Sequence, residues 1–193
     1  GVVNSANVSA VVEILRKAGA MIIDCHAGQQ LFRQGDLAES IFHVESGQFT
    51  LASVARNGKL GLLAIAGAGE FFGEGCLDEG SRRTYTVVAT EAGRVWRCSR
   101  RLFAQLLRAE PEFAADVVTH MVAANQRFER RVLDAIVLTS DRRLAVALVA
   151  FSNTDGAGRR SCPRLNQDLL AAFVGTTRPR ITPRSPCPQR LRW

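Results

Sequence analysis

The sequence predicts an α+β chain in which a small antiparallel barrel or sandwich is followed by helices. Two observations predict that class. Between residues 25 and 98, short apolar runs are separated by glycine turns, and from residue 99 onward the apolar positions recur at helical spacing. A third observation concerns charge. Of 25 basic and 18 acidic residues, only Arg159, Arg160, Arg164, Arg178, Arg180, Arg184, Arg190, Arg192 and Asp168 lie beyond residue 158, so the whole net charge of +7 falls in the last 35 residues. A neutral body with a basic end suits a chain whose end meets a polyanion, nucleic acid above all. A solvated basic tail is the plainer alternative.

The elements follow in order. Val8, Val11, Val12 and Leu15 give residues 1–24 the pattern of a short amphipathic helix. Strands are expected at 30–33, 41–44, 49–54, 60–66, 85–90 and 94–98, broken at Gln34-Gly35-Asp36, Glu45-Ser46-Gly47, Arg56-Asn57-Gly58-Lys59 and Gly67-Ala68-Gly69. Asn57-Gly58 between two apolar runs predicts a hairpin with a type I′ turn. Ser99 reads as the N-cap of a helix over 100–108, and Pro111 fits the first turn of a long helix running to about residue 138. Within it Val118, Met121, Asn125, Phe128, Val132 and Ala135 recur at 3-4-3-4-3 spacing, an a/d seam with one polar residue. Such a seam pairs two helices in a dimer; the alternative is packing against the chain's own barrel. A further helix is expected at 142–151 and a turn-rich linker at 153–158. Residues 165–181 read as helix, a turn at Gly175, and the start of another helix. Pro179, Pro183, Pro186 and Pro188 prevent the last stretch from continuing as a regular helix.

Composition narrows the function. With 193 residues, 47% hydrophobic and 22% charged, the chain has room for one or two domains and a real core. No run of about 18 apolar residues is present, so no membrane span is expected. The first residues lack the order of a signal peptide. Gly1 is not an initiator methionine, so the sequence is expected to begin inside a longer chain. Five cysteines (Cys25, Cys76, Cys98, Cys162, Cys187) without CxxC spacing argue against a structural zinc site or a disulfide framework, and for the cytoplasm.

Residues 67–73 resemble a dinucleotide fingerprint, but Phe72 stands where glycine or alanine is needed, and the room after Gly73 is too short for a crossover helix. His26, His43 and His120 are widely spaced, with neither HExxH nor GxSxG, so an enzyme is not expected. The segment 71–84 is more informative. A glycine-bounded turn with free N–H groups, Glu74, and Arg83-Thr84 nine residues on form one candidate pocket. Arg83 would hold a phosphate, Thr84 would add a hydroxyl, Glu74 would accept from a ribose hydroxyl, and Gly73 would allow close approach. A loop with a surface ion pair is the plainer alternative.

These pieces together resemble the Crp/Fnr family of bacterial transcription regulators. The matches run from Leu31-Phe32-Arg33-Gln34-Gly35-Asp36 and Ile41-Phe42-His43-Val44-Glu45-Ser46-Gly47, through the cassette Phe72-Gly73-Glu74…Arg83-Thr84, to Leu165-Asn166-Gln167…Leu170-Ala171…Val174-Gly175-Thr176-Thr177-Arg178. The resemblance implies an N-terminal cyclic-nucleotide-binding β-roll (jelly-roll-like, residues 1–110), a dimerisation helix (111–139) and a C-terminal winged helix-turn-helix (140–193), here incomplete. It implies a cyclic nucleotide such as cyclic AMP as effector, double-stranded DNA as partner, a homodimer, and RNA polymerase as a further contact. Gln167, Thr177, Arg178 and Arg180 would meet DNA. No metal or iron–sulfur cluster is expected, since the N-terminal cysteine cluster of that branch is missing.

The departures are specific. Tyr85 replaces the alanine that usually follows the cassette's Arg-Ser/Thr pair and would crowd the ligand. Phe128 and Glu129 stand where hydroxyl residues meet adenine in the best-known member. Pro183 falls in what should be the recognition helix, and the wing is expected to be missing. A ligand-binding dimerisation module without a working DNA reader is therefore the alternative function.

Overall fold

The computed structural model describes residues 5–139, 142–146, 153–154 and 160–161. Helix α1, Ser5–Lys17, buries Val11 and Leu15. Eight strands follow: β1 (Met21–Cys25), β2 (Gln30–Phe32), β3 (Ser40–Ser46), β4 (Phe49–Val54), β5 (Leu60–Ala66), β6 (Phe71–Phe72), β7 (Thr86–Ala89) and β8 (Gly93–Ser99). They form two four-stranded sheets, β1-β8-β3-β6 and β2-β7-β4-β5, the double-sheet arrangement of a jelly roll. The expected strands at 49–54 and 60–66 form with those bounds, whereas β1 and β6 were not expected from the sequence.

The turn between β4 and β5 differs from the expected type I′. The Gly58 N–H donates to Ala55 O at 2.9 Å, and Ala55 N donates to Lys59 O at 2.9 Å. Arg56 and Asn57 are thus the central residues, and only Gly58 has positive φ, +77°. This is the three-residue hairpin with a glycine bulge, in which Asn57 Oδ1 accepts from Lys59 N at 3.1 Å.

Ser99 Oγ accepts from Leu102 N at 3.2 Å and caps α2, Arg100–Ala109. Helix α3 then runs unbroken over Pro111–Val137. Residues 142–146 are helical, as expected for the start of the helix predicted at 142–151. The linker expected at 153–158 is in part a strand: β9 (Asn153–Thr154) pairs antiparallel with β10 (Arg160–Ser161). The predicted helices, turn and prolines over 165–193 lie outside the described residues.

Contacts group the chain into two compact units. The first joins the described residues up to Ser53 with Leu63–Asn125; the second joins the hairpin tip Val54–Leu62 with the described residues from Gln126 onward. The first unit holds two apolar clusters. One fills the roll with Phe32, Phe42, Phe49, Phe72, Val87 and Val95; the other sits under the helices around Leu15, Phe71, Trp96, Phe103 and Phe113. Strand alternation divides β6 between them, with Phe71 facing the helices and Phe72 facing the roll. In the second unit, Arg131 Nη2 donates to Leu62 O at 2.8 Å and ties the hairpin tip to α3.

Candidate functional site

Strand β6 ends on Phe72, stacked on Phe42 with ring centroids 5.2 Å apart. Gly73 follows with φ +85° and starts a 3-10 turn over Glu74–Leu77. No long crossover helix follows, so the turn is not a dinucleotide fingerprint. A Cβ on Gly73 would lie 2.7 Å from Arg83 Nη1 and 3.2 Å from Ser40 O. Glycine is needed here for both conformation and space.

Arg83 is held from two directions. Its backbone pairs with the Gln34-Gly35-Asp36 turn: Arg83 N donates to Asp36 O, and Gly35 N donates to Arg83 O, both at 2.8 Å. Its side chain, 6% exposed, donates from Nη1 to Gly73 O at 2.9 Å and from Nη2 to Ser40 O at 2.6 Å. The guanidinium centre stands 4.1 Å over the Phe32 ring, a cation–π contact. Nε is buried without a hydrogen-bond partner among the described residues, and no carboxylate forms an ion pair with Arg83 among them. Burial pulls its pKa down, although a guanidinium stays charged.

Beside it, the Gly73 N–H donates to the Tyr85 hydroxyl at 2.8 Å, and that hydroxyl donates to Glu74 Oε2 at 3.3 Å. Burial, with the Glu74 carboxylate adding to it, pushes the phenol pKa well up. Ser81 Oγ donates to Gly75 O and closes the loop.

The fold thus brings Gly73, Glu74 and Arg83 together; Thr84, next in the chain, is exposed. Ser40, whose carbonyl anchors Arg83, was not among the residues expected from the sequence. It lies 43 positions away, and no local pattern marks it. On α3, Val118, Phe128 and Val132 are exposed and so is Asn125, whereas Met121 packs against the core under the helices. Val122, Leu133, Ile136 and Val137 add to the exposed apolar surface of α3 beyond the expected seam. Gln167, Thr177, Arg178 and Arg180 lie outside the described residues. Among the described residues there is no His/Cys/Asp/Glu group able to hold a metal ion, and no helix long and apolar enough to cross a membrane.

His43 and His120, far apart in sequence, both pack against Phe71. Their rings lie 4.6 and 5.5 Å from its centroid, and Phe71 N donates to His120 Nε2 at 3.3 Å. A residue of β6, two before Gly73, is thereby hydrogen-bonded to α3.

Residues 22–110 match the family model for the cyclic nucleotide-binding domain. The chain is similar to the cAMP-activated global transcriptional regulator of Haemophilus influenzae, with 30% identity over 65% of this chain and 58% of that protein. It is also similar to the cyclic AMP receptor protein of Thermus thermophilus, with 31% identity over 80% of this chain and 70% of that protein. Among solved structures, the c-di-GMP-responsive global regulator of Xanthomonas campestris shares the fold, with a TM-score of 0.77 and 20% identity over 91% of this chain and 88% of that one. Two four-stranded sheets, a glycine-turn cassette closed on a buried arginine, a long helix after the roll, and relatives at this identity agree: the chain belongs to the Crp/Fnr family of transcription regulators.

Proposed function

We propose that this chain is a ligand-responsive, DNA-binding transcription regulator that takes an anionic, cyclic-nucleotide-like effector at Gly73, Glu74, Arg83 and Thr84. One observation carries the effector reading: Arg83 is a buried guanidinium with no carboxylate partner among the described residues and a buried, unpaired Nε. Taking a cation out of water is costly unless its donors and charge are met, and a bound phosphate would meet both. The residues fit that group. Arg83 would hold the phosphate, Gly73 N–H would add a donor, and Glu74 would accept from the ribose. A bound cyclic nucleotide supplies negative charge and hydroxyl donors; everything else belongs to the protein.

The route from cassette to helix also supports the reading. A shift of β6 at Gly73 acts on Phe71, and through its N–H on His120 of α3. Helix α3 carries the seam residues Val118, Met121, Asn125, Phe128 and Val132, which we assign to the homodimer. Regulators of this family bind DNA as dimers. Here Gln167, Thr177, Arg178 and Arg180 are assigned to DNA, with RNA polymerase as a further contact in the cytoplasm. No catalytic step is assigned to the chain.

The test is selection of the purified chain on a random double-stranded DNA pool, with and without cyclic AMP. The expected result is enrichment of a two-fold-symmetric site, stronger with the nucleotide, whose affinity falls steeply with salt. A folded protein that enriches no site in either condition would overturn the DNA assignment.

A further inference from the structure

We infer that Tyr85 is a built-in plug of the cassette, its hydroxyl holding the hydrogen bonds an effector must make, so that the effector binds only by displacing it. This rests on the reading of Gly73–Thr84 as an effector site and adds the residue that decides what enters it.

A phenol hydroxyl has one donor and can accept at the same time. Tyr85 uses both, accepting from Gly73 N–H at 2.8 Å and donating to Glu74 Oε2 at 3.3 Å. These are the two cassette groups assigned to the phosphate and the ribose, so one side chain satisfies both with no ligand. Its ring leans on Phe32, centroids 5.7 Å apart, the same ring that Arg83 covers from 4.1 Å. Phe32 therefore fixes the arginine and the plug together. The cleft that reaches Arg83, about 150 Å³, is lined by Ser40, Phe32, Asp36 and Arg97 among others, and not by Gly73, Glu74 or Thr84. With the phenol in place, that cleft leads to the arginine and not to the rest of the cassette.

Two consequences follow. A displacing ligand must offer an acceptor to Gly73 N–H and a donor to Glu74, which a cyclic nucleotide supplies from two separate groups, its phosphate oxygens and its free ribose hydroxyl. Its apparent affinity is also reduced by the fraction of molecules whose cassette is open.

The experiment uses cyclic AMP as probe and calorimetric titration of the wild-type chain, Tyr85→Phe and Tyr85→Ala. Tyr85→Phe keeps the ring on Phe32 and removes only the hydroxyl, so it decides the question if Tyr85→Ala does not fold. Both variants are expected to bind the nucleotide more tightly than the wild type, Tyr85→Ala by about tenfold or more and Tyr85→Phe by several-fold. The chain has a single tyrosine, so ring-13C labelling gives one tyrosine spin system. In the wild type its signals should move on saturation with cyclic AMP toward the shifts of a solvent-exposed phenol.

Equal affinity in the three proteins with unmoved tyrosine signals overturns the plug and leaves the effector site standing. Weaker binding by Tyr85→Phe also overturns it, making the hydroxyl a ligand contact. No binding by any of the three folded proteins overturns the plug and the cyclic-nucleotide reading together.

Discussion

Arg83 and His43 are both buried polar side chains, and their environments treat charge in opposite ways. Arg83 keeps its charge because a guanidinium does not deprotonate in proteins, and the fold supplies Gly73 O, Ser40 O and the Phe32 face around it. His43 is 1% exposed, with neither ring nitrogen hydrogen-bonded among the described residues, and it gives its charge up. Burial, with His120 adding repulsion, lowers its pKa from 6.5 to about 4. The sign follows from linkage. Above pH 6.5 the ring is neutral both folded and unfolded, and nothing is lost. Between 6.5 and about 4 the unfolded chain takes up a proton that the folded chain refuses, so stability falls as pH falls. The loss by pH 5 is about 2 kcal/mol. Urea midpoints at pH 7 and pH 5 should therefore differ in the wild type and nearly coincide in His43→Phe; an undiminished difference in the variant would place the effect elsewhere. At this scale the sequence marked Gly73, Glu74 and Arg83, since all three lie in one short segment, and it marked Tyr85 as a crowding residue. It did not mark Ser40 or the approach of His43 to His120, because both depend on which strand and helix meet in space.

Among the elements, the hairpin β4–β5 was legible to the residue, and its turn type was not. An Asn-Gly pair fits two hairpin geometries, and the choice lies in whether asparagine or only glycine takes positive φ. Here only Gly58 does, at +77°, and a Cβ there would meet nothing within 4 Å. Gly58→Ala therefore isolates backbone strain and should cost about 1–2 kcal/mol in a urea titration. Gly58→Asn should cost less, because asparagine tolerates the left-handed region. Gly73 at +85° is a different case, since its Cβ would also meet Arg83 Nη1 at 2.7 Å. Strands β1 and β6 were illegible for separate reasons. β6 has two residues, too few to show a period, and Phe71 and Phe72 are both apolar because each faces a different core. β1 is an edge strand in which only Cys25 is fully buried, so Met21–Cys25 carries no clean alternation.

At the scale of the whole molecule, the exposed apolar surface of α3 suits the proposed homodimer. Val118 is 60%, Phe128 61%, Val132 42% and Ile136 75% exposed, on one helix and close enough together to differ from the scattered apolar residues of an ordinary surface. A second copy of the same helix would cover such a stripe, with Asn125 fixing the register. Because Phe128 and Val132 are exposed in the single chain, charging them should leave the β-roll folded and act only on assembly. Phe128→Asp combined with Val132→Asp is expected to sediment as a monomer at concentrations where the wild type is a dimer, with the pH-7 roll spectrum unchanged. Affinity for a two-fold-symmetric DNA site should fall at least a hundredfold, since each reader then binds its half-site alone, while weak salt-sensitive binding to any DNA persists. A variant that stays dimeric would move the interface off this stripe. A monomer with undiminished operator affinity would mean that one copy reads the whole site, and the symmetry expected of that site would then have to be abandoned.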